Sequence, residues 1–301
     1  KLPLLIPECD IFWSPHYNIP LLPIRAHKRL VTVPDVFHLA HLETLTFAQK
    51  LYARLVTTAA VRLSDRVTTI SEYSAREITR LTGVSAGKVT VIPLGLDRAL
   101  FRRIDDDLIR QQVRSKYQLP ERYILFVGNV KPNKNLQQLV EGFARLLSRL
   151  PDYHLLIVGK KDGFITGDKA LIDRIDADSR LATKVSFSGY VDLADLPVLY
   201  SMAAVFAFPS IYEGFGFPPL EAMACGCPVV ASNRTSIPEV CGTAAHYINP
   251  VDSEDIARGL WDVLTDDILR QRLQTSGLEH AKQFDWEESQ RLFAAEITRL
   301  V

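Results

Sequence analysis

The stretch Ala204-Val-Phe-Ala-Phe-Pro-Ser-Ile-Tyr-Glu-Gly-Phe-Gly-Phe-Pro-Pro-Leu-Glu-Ala-Met-Ala-Cys-Gly-Cys-Pro-Val-Val-Ala231 decides the reading of this chain. It opens on an apolar run, Ala204 to Phe208, too short for a helix and continuous enough for a strand buried on both faces. It closes on a second such run, Pro228 to Ala231. Between them, Pro218 and Pro219 fall where a helix's first turn tolerates proline, and Gly226 suits its end. Strand, glycine-bearing loop, short helix and strand again is the rhythm of a parallel sheet. Glu213 stands in the loop, and Glu221 is read in the first helical turn. The backbone N–H groups of Gly214, Phe215 and Gly216, with the helix N-terminus, make a natural anion cradle. Two carboxylates flanking that cradle suit neutral hydroxyls rather than phosphates. The competing reading is a glycine turn with two solvated glutamates.

The same rhythm extends outward. Strand-like runs recur at Leu30–Val33, Val67–Ile70, Val89–Ile92, Tyr123–Val127, Leu155–Val158 and Val185–Phe187. Helical periods fill Glu43–Leu63 and Leu136–Leu150. Further helices are expected from Ser253, read as an N-cap, and from near Asp266, with a last one from Trp286 to Leu300. The fold class is therefore α/β, with parallel sheets covered on both faces. From Tyr123 to Ser232 there are five strands, enough for a doubly wound domain, whereas residues 1–100 offer only three or four. The polar segment Asp97–Gln118 reads as the boundary, and the N-terminal domain as incomplete. The chain begins at Lys1 rather than Met, so a missing segment, or a partner chain supplying it, is expected.

Composition narrows the function classes. At 301 residues, 47% hydrophobic and 23% charged, the chain can bury a full core in one large or two ordinary domains. Thirty-five basic residues balance 35 acidic ones, which argues against a broad nucleic-acid footprint. The longest uncharged run, Leu196–Tyr212, holds two prolines and is too short for a bilayer span. No signal-peptide pattern is visible in residues 1–25. Cys9, Cys225, Cys227 and Cys241 are too few for a disulfide scaffold and are read as buried or partly buried thiols. The chain reads as cytoplasmic.

A second constellation, Phe126-Val-Gly-Asn-Val-Lys-Pro-Asn-Lys-Asn135, again runs from a strand through a loop into a helix. Lys131 and Lys134 stand where an open α/β sheet usually takes its ligand, and a lysine there reads as a point charge for phosphate. Solvated loop lysines are the bland alternative. Asp105-Asp-Asp107 and Asp176-Ala-Asp178 mimic metal-binding pairs but follow no buried strand, and are read as solvated acidic turns. No metal site is predicted. Dinucleotide, P-loop, serine-elbow and zinc-protease patterns are absent from the sequence.

Taken together these motifs resemble the retaining glycosyltransferases of family 4, which have the GT-B fold of two Rossmann-like doubly wound domains. The resemblance rests on Glu213-(x7)-Glu221, on Val127–Asn135, Phe187–Val191, Pro228–Asn233 and Ile237–Val240, and in the first half on Thr69–Ser74 and Val91–Asp97. It implies an acceptor-side domain over 1–105, a sugar-nucleotide domain over 106–284, and a final helix, 285–301, crossing back to the first domain. It implies that Lys134 holds the donor diphosphate with Lys131 or Asn129, and that Glu221 accepts from the ribose hydroxyls. Glu213 would contact the transferred sugar, Gly214, Phe215 and Gly216 would present N–H groups, and Tyr190 would line the base pocket. Glu213 and Lys134 are the expected catalytic pair. Domain closure would exclude water, and no separate cofactor is implied.

The same resemblance exposes departures. Pro34, in Thr32-Val-Pro-Asp35, stands where the family often has histidine, leaving His16, Asp35 and His38 as candidates for the sugar and acceptor side. The family's glycine-rich acceptor loop has no match in residues 1–30. Two functions are carried forward. One is transfer of a hexose from a nucleotide-diphosphate sugar to a glycan or lipid-linked acceptor. The mannosyltransferase-like form of the motif suggests GDP-mannose, with UDP-sugars as the rival class. The other is a non-catalytic, truncated homologue acting as a sugar-nucleotide-binding or stabilising partner subunit. Peripheral contact with the inner face of the membrane is expected from the family.

Overall fold

The computed structural model describes residues 2–159 and 169–301, which divide into two compact units. The first comprises the residues up to Gly95 together with Glu213–Phe215 and Phe284–Val301. Its sheet has four parallel strands, β1 (Cys9–Ser14), β2 (Ala26–Thr32), β3 (Arg66–Thr69) and β4 (Val89–Val91), in sequential order. Ser14, Val31, Val67 and Val89 align across it in one row. Val31, Val33, Val36, Val67 and Ile78 are inaccessible and pack with Ala60 and Val61 of the helix Phe47–Leu63. β1 is not evident from the sequence, because it is an edge strand whose residues are mostly half-exposed and lack a continuous apolar run.

Helix boundaries in this unit follow capping chemistry. The period suggested a helix from Glu43, but Leu42–Thr44 is a separate 3₁₀ turn, and Thr46 starts the helix at Phe47 through a capping box with Gln49. Ser71 caps Glu72–Thr82, which Gly83 ends in the left-handed conformation. The last helix is Trp286–Thr298, slightly shorter than expected. It is fastened by the Ser289 hydroxyl donating to the Pro93 carbonyl (2.6 Å) and by the Glu296–Arg66 ion pair.

The second unit, Leu96–Tyr212 with Gly216–Gln283, carries six parallel strands. They are β5 (Tyr123–Val127), β6 (His154–Val158), β7 (Val185–Gly189), β8 (Val205–Phe208), β9 (Val229–Ser232) and β10 (Ala245–Ile248). Their order is β10-β9-β8-β5-β6-β7, so the winding reverses between β5 and β8, the doubly wound arrangement. β10 is missing from the sequence reading; it is the other edge, with His246 and Tyr247 half-exposed. The core joins Ile124, Phe126, Leu155 and Ile157 to the helices Leu136–Leu146 and Ser253–Thr265. The period had carried the first of these helices to Leu150; it ends at Leu146, ahead of Pro151.

Three acidic side chains correct the reading of this half. Asp252, not Ser253, is the N-cap, accepting from the Glu254 and Asp255 N–H groups. Asp106 caps a helix over Asp107–Tyr117, and Asp178 caps Ser179–Lys184. The two acidic clusters read as solvated turns are therefore helix starts. Cys225, Cys227 and Cys241 are buried free thiols and Cys9 is half-buried, as the sequence implied. Among the described residues, no helix is long and apolar enough to cross a membrane.

Candidate functional site

The carboxyl ends of β5 and β8 lie side by side where the strand order reverses, the position at which an open α/β sheet takes its ligand. After β5 the chain passes Gly128 and Asn129, makes a 3₁₀ turn over Pro132–Lys134 and enters the helix Leu136–Leu146. After β8 it passes Pro209 and Ser210 and enters the helix Phe217–Ala224. The two loops are laced together. The Ile211 N–H donates to the Asn133 carbonyl (2.8 Å), the Asn133 amide to the Tyr212 carbonyl (3.2 Å), and the buried Asn135 amide to the carbonyls of Pro209 (3.1 Å) and Pro250. The sequence motif contains Asn133 and Asn135 but assigns them no role. Their spacing around Lys134 was the available signal.

This lacing sets the cation. Lys134 is half-buried, its Nζ 5.3 Å from the centre of the Phe208 ring at the end of β8. Lys131 and Asn129 are in the same loop and exposed. Gly216 is the N-cap of Phe217–Ala224 at φ 125°, a conformation side chains rarely adopt, and a Cβ there would point into open space. The Ser210 hydroxyl is inaccessible and has no hydrogen-bond partner among the described residues. An open glycine at a helix start after β8, with a half-buried lysine in the adjoining loop after β5, is the kind of place that takes an anionic or hydroxyl-bearing ligand.

Glu221 is the fifth residue of its helix, in the second turn rather than the first, and it is half-buried. The Tyr200 hydroxyl donates to its Oε2 at 2.9 Å. Burial pushes the Glu221 carboxyl above the usual carboxylate range, and the Tyr200 bond partly offsets that rise. Tyr190 follows β7, two strands from β5 and so roughly 10 Å along the sheet, and is 72% exposed.

The remaining candidates belong to the first unit. Glu213, Gly214 and Phe215 group there, the Gly214 carbonyl accepting from the buried hydroxyls of Ser71 (2.7 Å) and Ser74 (3.3 Å). A Cβ on Gly214 would stand 2.8 Å from Asp35 Cβ, so the loop and Asp35 are in direct contact. Phe215 meets Phe284 edge-on at 5.9 Å. Ser71 and Ser74 were seen as part of a motif but not as anchors, because a partner some 140 residues away leaves no local pattern.

His38 is half-buried. Its Nε2 lies 2.8 Å from Thr57 Oγ1, and burial lowers its pKa despite the charge of Asp35. The His16 ring meets Tyr17 at a tilt, centroids 3.9 Å apart, and Tyr17 meets His38 likewise at 4.7 Å. Asp35 accepts from the N–H of Phe37 (3.0 Å), the first residue of a short helix whose N-cap is Val36. The unit also holds an apolar cavity of about 330 Å³ at the carboxyl ends of β1 to β4, bounded by Trp13, Thr69, Leu94, Trp286 and Phe293. Among the described residues no group of three or more His, Cys, Asp or Glu side chains is placed to hold a metal ion.

Comparison with known proteins identifies the family and the fold. The chain is 36% identical over 222 residues to the O-antigen chain mannosyltransferase B of Escherichia coli, covering 73% of this chain and 57% of that protein. It is 31% identical over 246 residues to the serotype-specific mannosyltransferase WbdA of E. coli, covering 79% of this chain and 29% of that one. The chain thus spans little more than half of the first and under a third of the second. Sucrose-phosphate synthase from Thermosynechococcus elongatus superposes with a TM-score of 0.77 at 26% identity, over 91% of this chain and 68% of that one. With the parallel sheets, this likeness identifies the fold as α/β of the GT-B type, its N-terminal sheet short at four strands. The model described as Glycosyltransferase Family 4 matches residues 5–100, the first unit's sheet. The model of glycosyl transferases group 1 matches residues 109–280, the stretch that builds the β5 and β8 loops, and the chain belongs to that family.

Proposed function

We propose that this chain carries the donor-binding and transfer machinery of a retaining glycosyltransferase. It moves a hexose, mannose by preference, from a nucleotide-diphosphate sugar to a glycan or lipid-linked acceptor. The observation that carries the reading is the pairing of Lys134 with the Gly216–Glu221 segment at the carboxyl ends of adjacent strands, in a chain similar to mannosyltransferases. GDP-mannose is the proposed donor, with UDP-sugars as the rival. No metal or further cofactor enters the mechanism.

Breaking the bond between the sugar and the diphosphate sends the electron pair to the departing phosphate oxygen. The Lys134 ammonium, helped by Lys131 and Asn129, and the N–H groups of Gly216 and Phe217 at the helix start, where Pro218 and Pro219 have none, face that developing charge. Glu221 accepts from the ribose hydroxyls, and Tyr190 contacts the base. Glu213 accepts from hydroxyls of the transferred sugar, while Gly214 and Phe215 present backbone N–H groups. The acceptor hydroxyl attacks from the face the diphosphate leaves, and its proton passes to the leaving oxygen, which retains the anomeric configuration. Asp35, beside Gly214, serves the sugar and acceptor side; His16 and His38 act there through their ring contacts with Tyr17.

The apolar cavity of the first unit supports an acceptor with a lipid portion. The outward face of Phe47–Leu63 supports contact with an anionic membrane, at the cytoplasmic side where donor and acceptor would meet. β1 closes the strand order of its sheet, which is where a partner chain would add if one completes it. The relatives favour transfer over the partner-subunit reading. The test is calorimetric binding of GDP, UDP and ADP, followed by turnover with the matching sugar donor. Micromolar binding of one diphosphate, lost in Glu221→Ala, is expected; binding of none sinks the proposal.

A further inference from the structure

Tyr200 is in the helix Leu196–Met202, which supplies none of the donor contacts assigned above. Its side chain is inaccessible, edge-on to Phe206 of β8 at 5.3 Å and to Phe101 at 6.4 Å. The hydroxyl emerges from this aromatic setting at one atom, Glu221 Oε2. Burial first, then the neighbouring Glu221, holds the phenol neutral, so it keeps the proton that it donates to the carboxylate, which as an ion can only accept. A glutamate has three side-chain torsions and four lone-pair sites on its carboxylate. Fixing Oε2 from below leaves Oε1 and the outer lone pairs of the group presented in one orientation.

We infer that Tyr200 is a positioning residue for nucleotide recognition: its hydroxyl orients the Glu221 carboxylate toward the ribose hydroxyls of the donor. This rests on the assignment of Glu221 to the ribose made above. It also gives the hydroxyl a second effect. Burial favours the protonated carboxyl, and the Tyr200 bond opposes it. Cys225, which ends the same helix, lies near Glu221, and Cys227, before β9, lies near Tyr200; burial keeps both thiols neutral. Removing the hydroxyl therefore frees the side chain to rotate and makes it easier to protonate. A protonated carboxyl accepts poorly from two hydroxyls at once, so binding weakens as pH falls through the Glu221 pKa.

A purely structural role, tying one helix to another, would change melting but not the pH profile of binding. The experiment measures GDP and UDP binding to the full chain by calorimetry from about pH 5 to 8, for wild type, Tyr200→Phe, Glu221→Gln and Glu221→Ala. Tyr200→Phe keeps the ring packing; it is expected to bind about tenfold more weakly at neutral pH, with its loss of binding on acidification moved to higher pH. Glu221→Gln is expected to bind weakly with a flat profile. Wild-type affinity and profile in Tyr200→Phe, while Glu221→Ala loses binding, overturns the positioning role and leaves the ribose assignment standing. Equal binding by wild type and Glu221→Ala overturns the ribose assignment and the inference with it. Should Tyr200→Phe not fold, a wild-type profile as flat as that of Glu221→Gln still overturns the inference.

Discussion

Glu296, 1% exposed on the last helix, is paired with Arg66 of β3, 230 residues earlier in the chain. Burial by itself would raise the Glu296 carboxyl, but the bonds and charge of Arg66, the Thr90 hydroxyl and the charge of Arg299 override it and hold the group below its usual range. Removing one partner of a buried pair leaves an uncompensated charge. Because Arg66 keeps some access to water, Glu296→Ala is expected to destabilise the first unit by about 3 kcal/mol, the low end for such pairs, in chemical denaturation. The sign of the pH dependence follows from the depressed pKa. The stabilisation is complete above the unfolded carboxyl's pKa and is lost as pH falls through the folded one. Glu296→Gln should flatten that acid limb; an unchanged limb would show that other carboxylates set it.

Gly214 is held from two sides, by the hydroxyls of Ser71 and Ser74 on its carbonyl and by Asp35 against its Cα. Gly214→Ala would drive a methyl to 2.8 Å from Asp35 Cβ, and relief requires the loop carrying Glu213 to move. The expected result is transfer lowered by about 100-fold with diphosphate binding nearly unchanged, since displacement of a positioned group costs rate before affinity. Ser71→Ala should act in the same direction and more weakly, because Ser74 still donates. Full activity in Gly214→Ala would remove Glu213 from the sugar site.

What the sequence disclosed and what it concealed divide along physical lines. β5, β6, β8 and β9 were legible because buried parallel strands are apolar without interruption, as in Tyr123–Val127. The edge strands β1 and β10 lack that run and were not read. Cap positions slipped by one or more residues, as at Asp252 and Thr46, where several side chains could serve and only the backbone geometry chooses. That Lys134 follows β5 and that Gly216 and Glu221 follow β8 could be read from motif order, though Glu221 falls one turn later than expected. The Tyr200 bond to Glu221 and the Ser71 bond to Gly214 could not, since each depends on packing between elements distant in sequence.

Lys134 gives a sharper test than loss of activity alone. A point charge aimed at a diphosphate contributes more to binding GDP than GMP, whereas a lysine that merely braces the Phe208 ring affects both alike. Lys134→Ala is therefore expected to weaken GDP by about 30-fold and GMP by less than about threefold, within the range of charge-assisted bonds. Equal losses for the two nucleotides would assign Lys134 to the scaffold and return the diphosphate to Lys131 or Asn129.

The helix Phe47–Leu63 has no acidic residue, and it buries Ala53, Thr57, Ala60 and Val61. On the opposite face Phe47 (82% exposed), Leu51 and Leu55 follow one another at four-residue spacing, with Tyr52 beside them and Lys50 and Arg54 at the flank. Apolar residues outward with basic residues at their border is the pattern of a helix lying in a membrane interface. Each basic residue near an anionic surface contributes about 1 kcal/mol, so Lys50→Glu with Arg54→Glu should reduce binding to vesicles containing anionic lipid by well over tenfold. Leu51→Ser with Leu55→Ser should reduce it as well, while neither pair alters diphosphate affinity. Co-sedimentation with anionic but not zwitterionic vesicles is the expected wild-type result. Failure to sediment, together with a shift to a dimer that the leucine variants abolish, would make this face a contact between copies of the chain.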